Sequence, residues 1–170
     1  MTIDAGAQEK ADLLESLEAH RSFLRQTVRG LTDDQARQRT TVSELCLGGV
    51  IKHVTRMEER WVNFILEGPD AMAMGPESMA QHAASFRMSD EETMAELLED
   101  YQRTARRTDG VVAALASLDQ SHPLPEAPWF PRGARRTARR VLIHIVAETA
   151  QHAGHADIIR ESLDGAKTMG

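Results

Sequence analysis

At 170 residues, with 41% hydrophobic and 27% charged residues, the chain has the composition of a globular protein, and we predict one domain over residues 1–170. The formal net charge of −6 argues against a protein that binds the phosphate backbone of nucleic acids. No apolar stretch approaches the roughly 18 residues that a membrane span needs.

The cysteine content and the first residues bear on the cellular compartment. A single cysteine excludes an internal disulfide and fits a reducing compartment. The opening residues lack the basic patch and apolar run of a secretion signal. We therefore expect a cytoplasmic protein that acts without nucleic acid or membrane.

Helical periodicity dominates the first part of the chain. Apolar residues recur at helical spacing from Glu9 to Leu31, which predicts the first long helix. Thr32 is placed to begin a short second helical piece that runs to Arg39. A second long helix is predicted from Ser43 until the breaker pair Gly68-Pro69.

The second half of the chain contains two more predicted helices and no predicted strand. Residues 69–88 lack clear periodicity, so we expect a long connection there with at most one helical turn. Ser89, followed by three acidic residues, predicts the start of a third helix that runs to about Leu118. Four prolines predict a loop over residues 119–133, and a fourth helix is predicted from Arg136 to Gly165. Four long helices in one domain predict an all-α protein with the architecture of a four-helix bundle.

The start of the fourth helix is rich in arginine. The segment RGARRTARR, residues 132–140, has five arginines in nine positions. No interleaved aromatic residue or nucleic-acid motif accompanies them, so we interpret the segment as a solvated helix entry whose charges pair with acidic residues.

The fourth helix also contains ionisable residues where core residues are expected. With about 100° of rotation per residue, Glu148 and His152 fall on the apolar stripe defined by Val141, Ile145 and Ile159. Burying an unpaired carboxylate costs several kcal/mol, so a core-facing Glu148 must be paired, protonated or bound to a metal. Because Glu148 and His152 are four residues apart, their side chains converge on a common point.

A third ligand is expected from a facing helix, as in other bundles that bind metals. His53 is the only histidine of the second long helix, and apolar residues flank it on the inward side. Two structural interpretations stay open at this point. His53 alone is compatible with a hydrogen-bonded core histidine, and Glu148 is compatible with a buried salt bridge to His152 or to an arginine of another helix.

Two more histidines lie close to this pair on the fourth helix. His155 is the candidate catalytic residue, placed to touch a bound water or substrate, or to replace a ligand if the helical register differs. His144 lies one turn before Glu148, where a hydrogen bond to the carboxylate would orient it. For both, a structural role at a helix–helix seam is equally compatible with the sequence.

Two segments resemble the DinB-like (YfiT-like) superfamily of metal-binding four-helix bundles: GGVIKHVTRMEERW (48–61) and RRVLIHIVAETAQHAGHADIIRESLDG (139–165). The resemblance covers about residues 8–165 and is strongest to an actinobacterial-type branch. In the superfamily, a histidine of the second helix joins a pair of ligands on the last helix, commonly two histidines. Here His53 and His152 match, and Glu148 stands where the first histidine of the pair would be. This variant resembles the metal-binding domain of mycothiol-dependent maleylpyruvate isomerase, whose metal is held by two histidines and one glutamate.

The resemblance implies a divalent metal centre formed by His53, Glu148 and His152, with coordination positions left for water or substrate. Such a ligand set suits zinc, nickel, iron or manganese. The resemblance further implies a transferase or isomerase that presents a small-molecule thiol, such as mycothiol, to an electrophilic substrate. The alternatives are a metal-dependent hydrolase, an iron oxygenase and a non-catalytic metal-binding stress-response module. A homodimer is also expected, with the segment Met72 to Met88 as an interface element or a lid over the site.

Overall fold

The computed structural model describes residues 5–72 and 75–168, apart from the side chain of Pro76. Its four long helices are α1 (Ala5–Thr27), α3 (Leu47–Glu67), α5 (Met94–Ala114) and α6 (Ala138–Asp164). Helices α1 and α3 each pack against both α5 and α6, which closes the bundle around two hydrophobic clusters. The predicted all-α four-helix bundle is confirmed. In the described part of the chain, none of the helices has the length and apolar character needed to cross a bilayer.

The connection between α3 and α5 is more helical than predicted. A 3-10 helix over Gly68–Met72 and the helix α4 (Pro76–Ser85) occupy the segment that the sequence predicted as a long connection. Pro76 stands in the first turn, where its missing N–H costs nothing. Most of α4 is exposed, and of its described side chains only that of Ser85 is buried. An apolar stripe is therefore not required, which explains why periodicity did not reveal this helix.

Several predicted boundaries need correction. The short helix α2 (Asp33–Arg37) begins after Thr32 as predicted, but α3 begins at Leu47 and not at Ser43. Helix α5 begins at Met94 because Thr93 and Glu96 form a reciprocal capping box. Ser89 instead belongs to the preceding turn.

A small hairpin leads into α6, which corrects the prediction that the chain has no strand. Strand β1 (Ser121–Pro123) pairs antiparallel with β2 (Arg135–Thr137), and the proline-rich loop connects them. Thr137 ends β2 and caps α6 by accepting a hydrogen bond from the backbone N–H of Arg140. At the other end, Gly165 caps the helix in the left-handed conformation, as predicted. The hairpin therefore fixes where the helix with the predicted ligand pair begins.

The arginines at the start of α6 are engaged by neighbouring groups. Arg139 forms ion pairs with Glu9 and Asp119. The guanidinium of Arg136 lies over the ring of Trp61, 4.7 Å from its centroid. The contacts of Arg139 match the interpretation of a helix entry whose charges pair with acidic residues, whereas Arg136 packs on an aromatic ring and its buried Nη1 has no hydrogen-bond partner in the described part of the chain.

The N-terminal end of α3 lies in close contact with the segment that follows α4. A Cβ atom at Gly49 would lie 2.0 Å from the carbonyl oxygen of Phe86, so only glycine permits this approach. Lys52 strengthens the contact, because its Nζ donates to the Arg87 carbonyl at 3.1 Å and pairs with Glu92 at 2.6 Å. The contact holds Phe86 beside the helix that carries His53.

A buried ion network crosses the centre of the bundle. Arg21 of α1 donates through Nε and Nη2 to the Glu58 carboxylate of α3, and both side chains are fully buried. Arg21 also donates to Asp109 at 2.9 Å, and the Thr108 hydroxyl donates to Glu58 at 2.6 Å. Burial alone would lower the pKa of Arg21, but the neighbouring carboxylates outweigh it and raise that pKa. The sequence analysis did not predict this network.

Candidate metal centre

The three predicted ligands meet between α3 and α6. One nitrogen or oxygen atom from each of His53, Glu148 and His152 lies within 4.8 Å of the other two. The rings of His53 and His152 have centroids 4.9 Å apart, and His152 Nε2 is 3.7 Å from Glu148 Oε2. This last distance is too long for a hydrogen bond. The structure therefore groups three donors that are close enough to share one ion.

The three side chains differ in their exposure to solvent. His53 and His152 are buried, whereas the Glu148 side chain is 29% exposed. Helical spacing placed Glu148 on the core stripe, but the buried stripe passes instead through Ile145 and Thr149. Glu148 lies at the border of this stripe, where partial hydration lowers the cost of its charge.

Both histidines are neutral near pH 7. Burial lowers the pKa of His53 to about 3, and the neighbouring His152 and His82 act in the same direction. Burial also lowers the pKa of His152, with a further contribution from His155. A metal ligand must offer a lone pair, so histidines kept unprotonated by their surroundings are suited to bind a cation.

One polar atom at the site lacks the partner that buried groups normally have. His152 Nδ1 is buried and has no hydrogen-bond partner in the described part of the chain. The imidazole of His152, a predicted ligand, therefore has a ring nitrogen that no protein group among the described residues satisfies. Together with a second imidazole and a carboxylate, it gives a donor set that fits a divalent cation such as zinc.

The end of α4 surrounds His53 with contacts that the sequence analysis missed. His53 Nδ1 lies 3.1 Å from Ser85 Oγ, and the Phe86 ring stacks on the imidazole at 3.9 Å with an interplanar angle of 20°. The ring of His82 makes an edge contact at 5.5 Å. These residues were missed because their segment was predicted as a long connection with at most one helical turn.

An open cleft of about 850 Å³ leads to the three residues. His53, Glu148 and His152 line it together with side chains from α3, α4 and the 3-10 helix. The positively charged residues Arg56 and Arg60 also line it. A cleft of this size accommodates a small molecule beside the candidate metal centre.

The two remaining histidines of α6 occupy different positions relative to this cleft. His144 lines it, and its ring makes an edge contact with Trp61 at 4.8 Å. Burial lowers the pKa of His144, although the Glu148 carboxylate opposes this effect. His155, the predicted catalytic residue, lies beside His152 at 5.4 Å and is not among the residues that line the cleft. Trp61 is both buried and part of the cleft wall.

The fold and the ligand cluster together define a bundle of the DinB-like class, as the two sequence segments indicated. The chain belongs to the mycothiol-S-transferase family, whose model matches residues 12–165. A crystal structure of a conserved protein from Enterococcus faecalis is similar in fold, with a TM-score of 0.66 and 11% sequence identity. That similarity covers 97% of this chain and 100% of the other. No match was found among curated proteins.

Proposed function

We propose that the protein is a divalent-metal-dependent S-transferase that joins a low-molecular-weight thiol, such as mycothiol, to an electrophile. The observation that carries this proposal is the grouping of His53, Glu148 and His152 in the wall of a cleft. Membership of the mycothiol-S-transferase family supports the class of thiol.

In this proposal, His53, Glu148 and His152 hold the metal. A divalent cation bound there supplies Lewis acidity, which lowers the pKa of a thiol at the site and favours the thiolate at neutral pH. Glu148 brings one negative charge to the site, while both histidines bind as neutral ligands. The protein would thus offset part of the charge of a divalent ion and leave a net positive site that favours an anionic sulfur.

The reaction forms one bond between the thiolate sulfur and the electrophilic carbon, and the leaving group departs with the electron pair of the bond that breaks. The thiol proton must pass to a base. His144 suits this role because it lines the same cleft and burial keeps its pKa below the ordinary value of 6.5. The catalytic role predicted for His155 stays a prediction, and its position means that it would act through His152.

The test combines metal analysis with a thiol-transfer assay. Purified protein should contain close to one divalent metal per chain, and the loaded protein should accelerate loss of mycothiol in the presence of a halogenated fluorogenic electrophile. His53→Ala and His152→Ala should each lose metal and activity while keeping their helical circular dichroism. His20→Ala is the matched control because His20 lies outside the cleft, where it contacts Phe23.

Three outcomes would contradict the proposal in different ways. Absence of bound metal, combined with no calorimetric binding of zinc, nickel or manganese, would remove the metal centre. Metal binding without thiol consumption would indicate a metal-binding module that has no transferase activity. Electrophile hydrolysis that proceeds equally without thiol would replace the transferase by a hydrolase.

A further inference from the structure

We propose that Ser85 sets the protonation pattern of the His53 ring and so prepares Nε2 of that ring to bind the metal. This inference rests on the metal centre proposed above and assigns a positioning role to a residue that does not itself belong to the ligand cluster. Ser85 is the last residue of α4, and its hydroxyl contacts the His53 ring on one side and the His82 carbonyl on the other.

The direction of the hydrogen bonds follows from the chemistry of the three groups. The Ser85 hydroxyl has one hydrogen, and it lies 2.6 Å from the carbonyl oxygen of His82. A carbonyl only accepts, so the hydroxyl donates to it. In the second contact, at 3.1 Å, Ser85 Oγ must therefore accept, and His53 Nδ1 must donate. This arrangement places the ring proton of His53 on Nδ1.

A metal-bound imidazole is neutral and carries its one proton on the nitrogen that does not bind the metal. With the proton on Nδ1, the lone pair of His53 is on Nε2. Outer hydrogen-bond partners of this kind fix both the tautomer and the orientation of a ligand ring. Ser85 fills this role because its hydroxyl donates its only proton to the His82 carbonyl, so its oxygen can only accept a hydrogen bond from His53.

The surroundings hold this arrangement in place. Ser85 is 2% exposed, so water does not compete for its hydroxyl. Phe86, the next residue, stacks on the His53 ring and restricts its rotation. The close approach of Gly49 to the Phe86 carbonyl ties this segment to α3 only four residues before His53. The hydroxyl and the ring are thus fixed relative to each other by packing on both sides.

The experiment compares zinc affinity, by competition with a chelator, in the wild type, Ser85→Ala, Ser85→Thr and Gln81→Ala. Ser85→Ala removes the acceptor and should weaken zinc binding about 10- to 100-fold, the range found when outer partners of metal ligands are removed. Ser85→Thr keeps the hydroxyl and should retain most of the affinity. Gln81→Ala is the matched control, because Gln81 lies on the same helix and its side-chain amide donates to Glu77 and not to His53.

A second readout does not need metal. Nitrogen-15 correlation spectra of the metal-free protein should show His53 protonated at Nδ1 in the wild type, and Ser85→Ala should shift the ring towards the Nε2-protonated form. Unchanged zinc affinity and an unchanged tautomer in Ser85→Ala would overturn the role of Ser85 and leave the metal centre intact. A wild type that binds none of zinc, nickel and manganese would overturn the proposed function, while the tautomer measurement would still decide whether Ser85 controls the ring.

Discussion

Replacing Glu148 by glutamine keeps the size of the side chain and removes its charge, which separates a metal ligand from a partner in a structural salt bridge. The structure gives Glu148 one ion-pair partner in its described part, His152 at 3.7 Å. Burial lowers the pKa of His152, so this partner is uncharged near pH 7. The Glu148 side chain is also partly hydrated. Glu148→Gln should therefore change the stability of the metal-free protein by less than about 1 kcal/mol.

The effect on the metal-loaded protein should be much larger. We expect loss of this ligand to weaken zinc by at least about 100-fold, the upper end of the effect of removing an outer partner. With zinc at about 1,000 times the wild-type Kd, binding stabilises the wild type by about 4.1 kcal/mol, and the variant by only about 1.4 kcal/mol. For a chain of this size, roughly 2–4 °C per kcal/mol gives a zinc-induced rise in Tm of about 8–16 °C for the wild type and about 3–6 °C for the variant.

Thermal unfolding with and without zinc, monitored by circular dichroism, measures the stability of the metal-free protein and the zinc-induced rise in Tm. Glu148→His should recover most of the zinc-induced rise, because it restores the ligand that the superfamily commonly has at this position. If zinc raised the Tm of Glu148→Gln as much as that of the wild type, the assignment of Glu148 as a ligand would be refuted. A loss of about 3–5 kcal/mol in the metal-free variant, which is the cost of breaking a buried salt bridge, would also refute it.

Three further predictions concern pH, the buried network and assembly. The metal-free protein should lose stability as the pH falls from about 6.5 towards 3, because the unfolded chain takes up protons that folded His53 does not; an equally steep loss in His53→Gln would contradict this. Arg21→Met should cost about 3–5 kcal/mol in urea unfolding, because it leaves Glu58 buried without its partner. Arg139→Met is the control at the surface, where the ion pairs are solvated, and should cost much less than Arg21→Met. Light scattering at micromolar concentration should report a homodimer, with Met72 to Met88 as an interface element; a monomer would contradict it.

The features that the sequence predicted well depend on local signals. The end of α6 at Gly165 follows from a residue that adopts the left-handed conformation without cost. The convergence of Glu148 and His152 follows from their spacing, and His53 was placed inward by its apolar neighbours. Each of these inferences needs only one helix and its period, whereas the expectation that His53 meets the pair on the last helix came from the resemblance to metal-binding bundles.

The features that the sequence missed depend on contacts between distant segments. Ser85 and Phe86 reach His53 from the end of a helix without an apolar stripe and from the residue after it, so no pattern marked them. The sequence does contain an indication of the Arg21–Glu58 pair, in the position of Glu58 on α3. Glu58 continues the spacing of Ile51, Val54, Val62 and Ile65, all of which are buried. A charged residue on that stripe required an opposite charge from another helix, but the sequence did not identify which one.

The two tryptophans differ in a way that makes the cleft optically observable. Trp61 is buried in the cleft wall, against His144 and beneath the guanidinium of Arg136, whereas Trp129 is 59% exposed. The indole of Trp61 should therefore emit at shorter wavelength and resist collisional quenchers, while that of Trp129 is readily quenched. Replacing Trp129 by phenylalanine would leave Trp61 as the single tryptophan, and its emission, excited selectively over that of Tyr101, would follow occupancy of the cleft. Ligand binding and metal exchange would then be measurable in real time without a label.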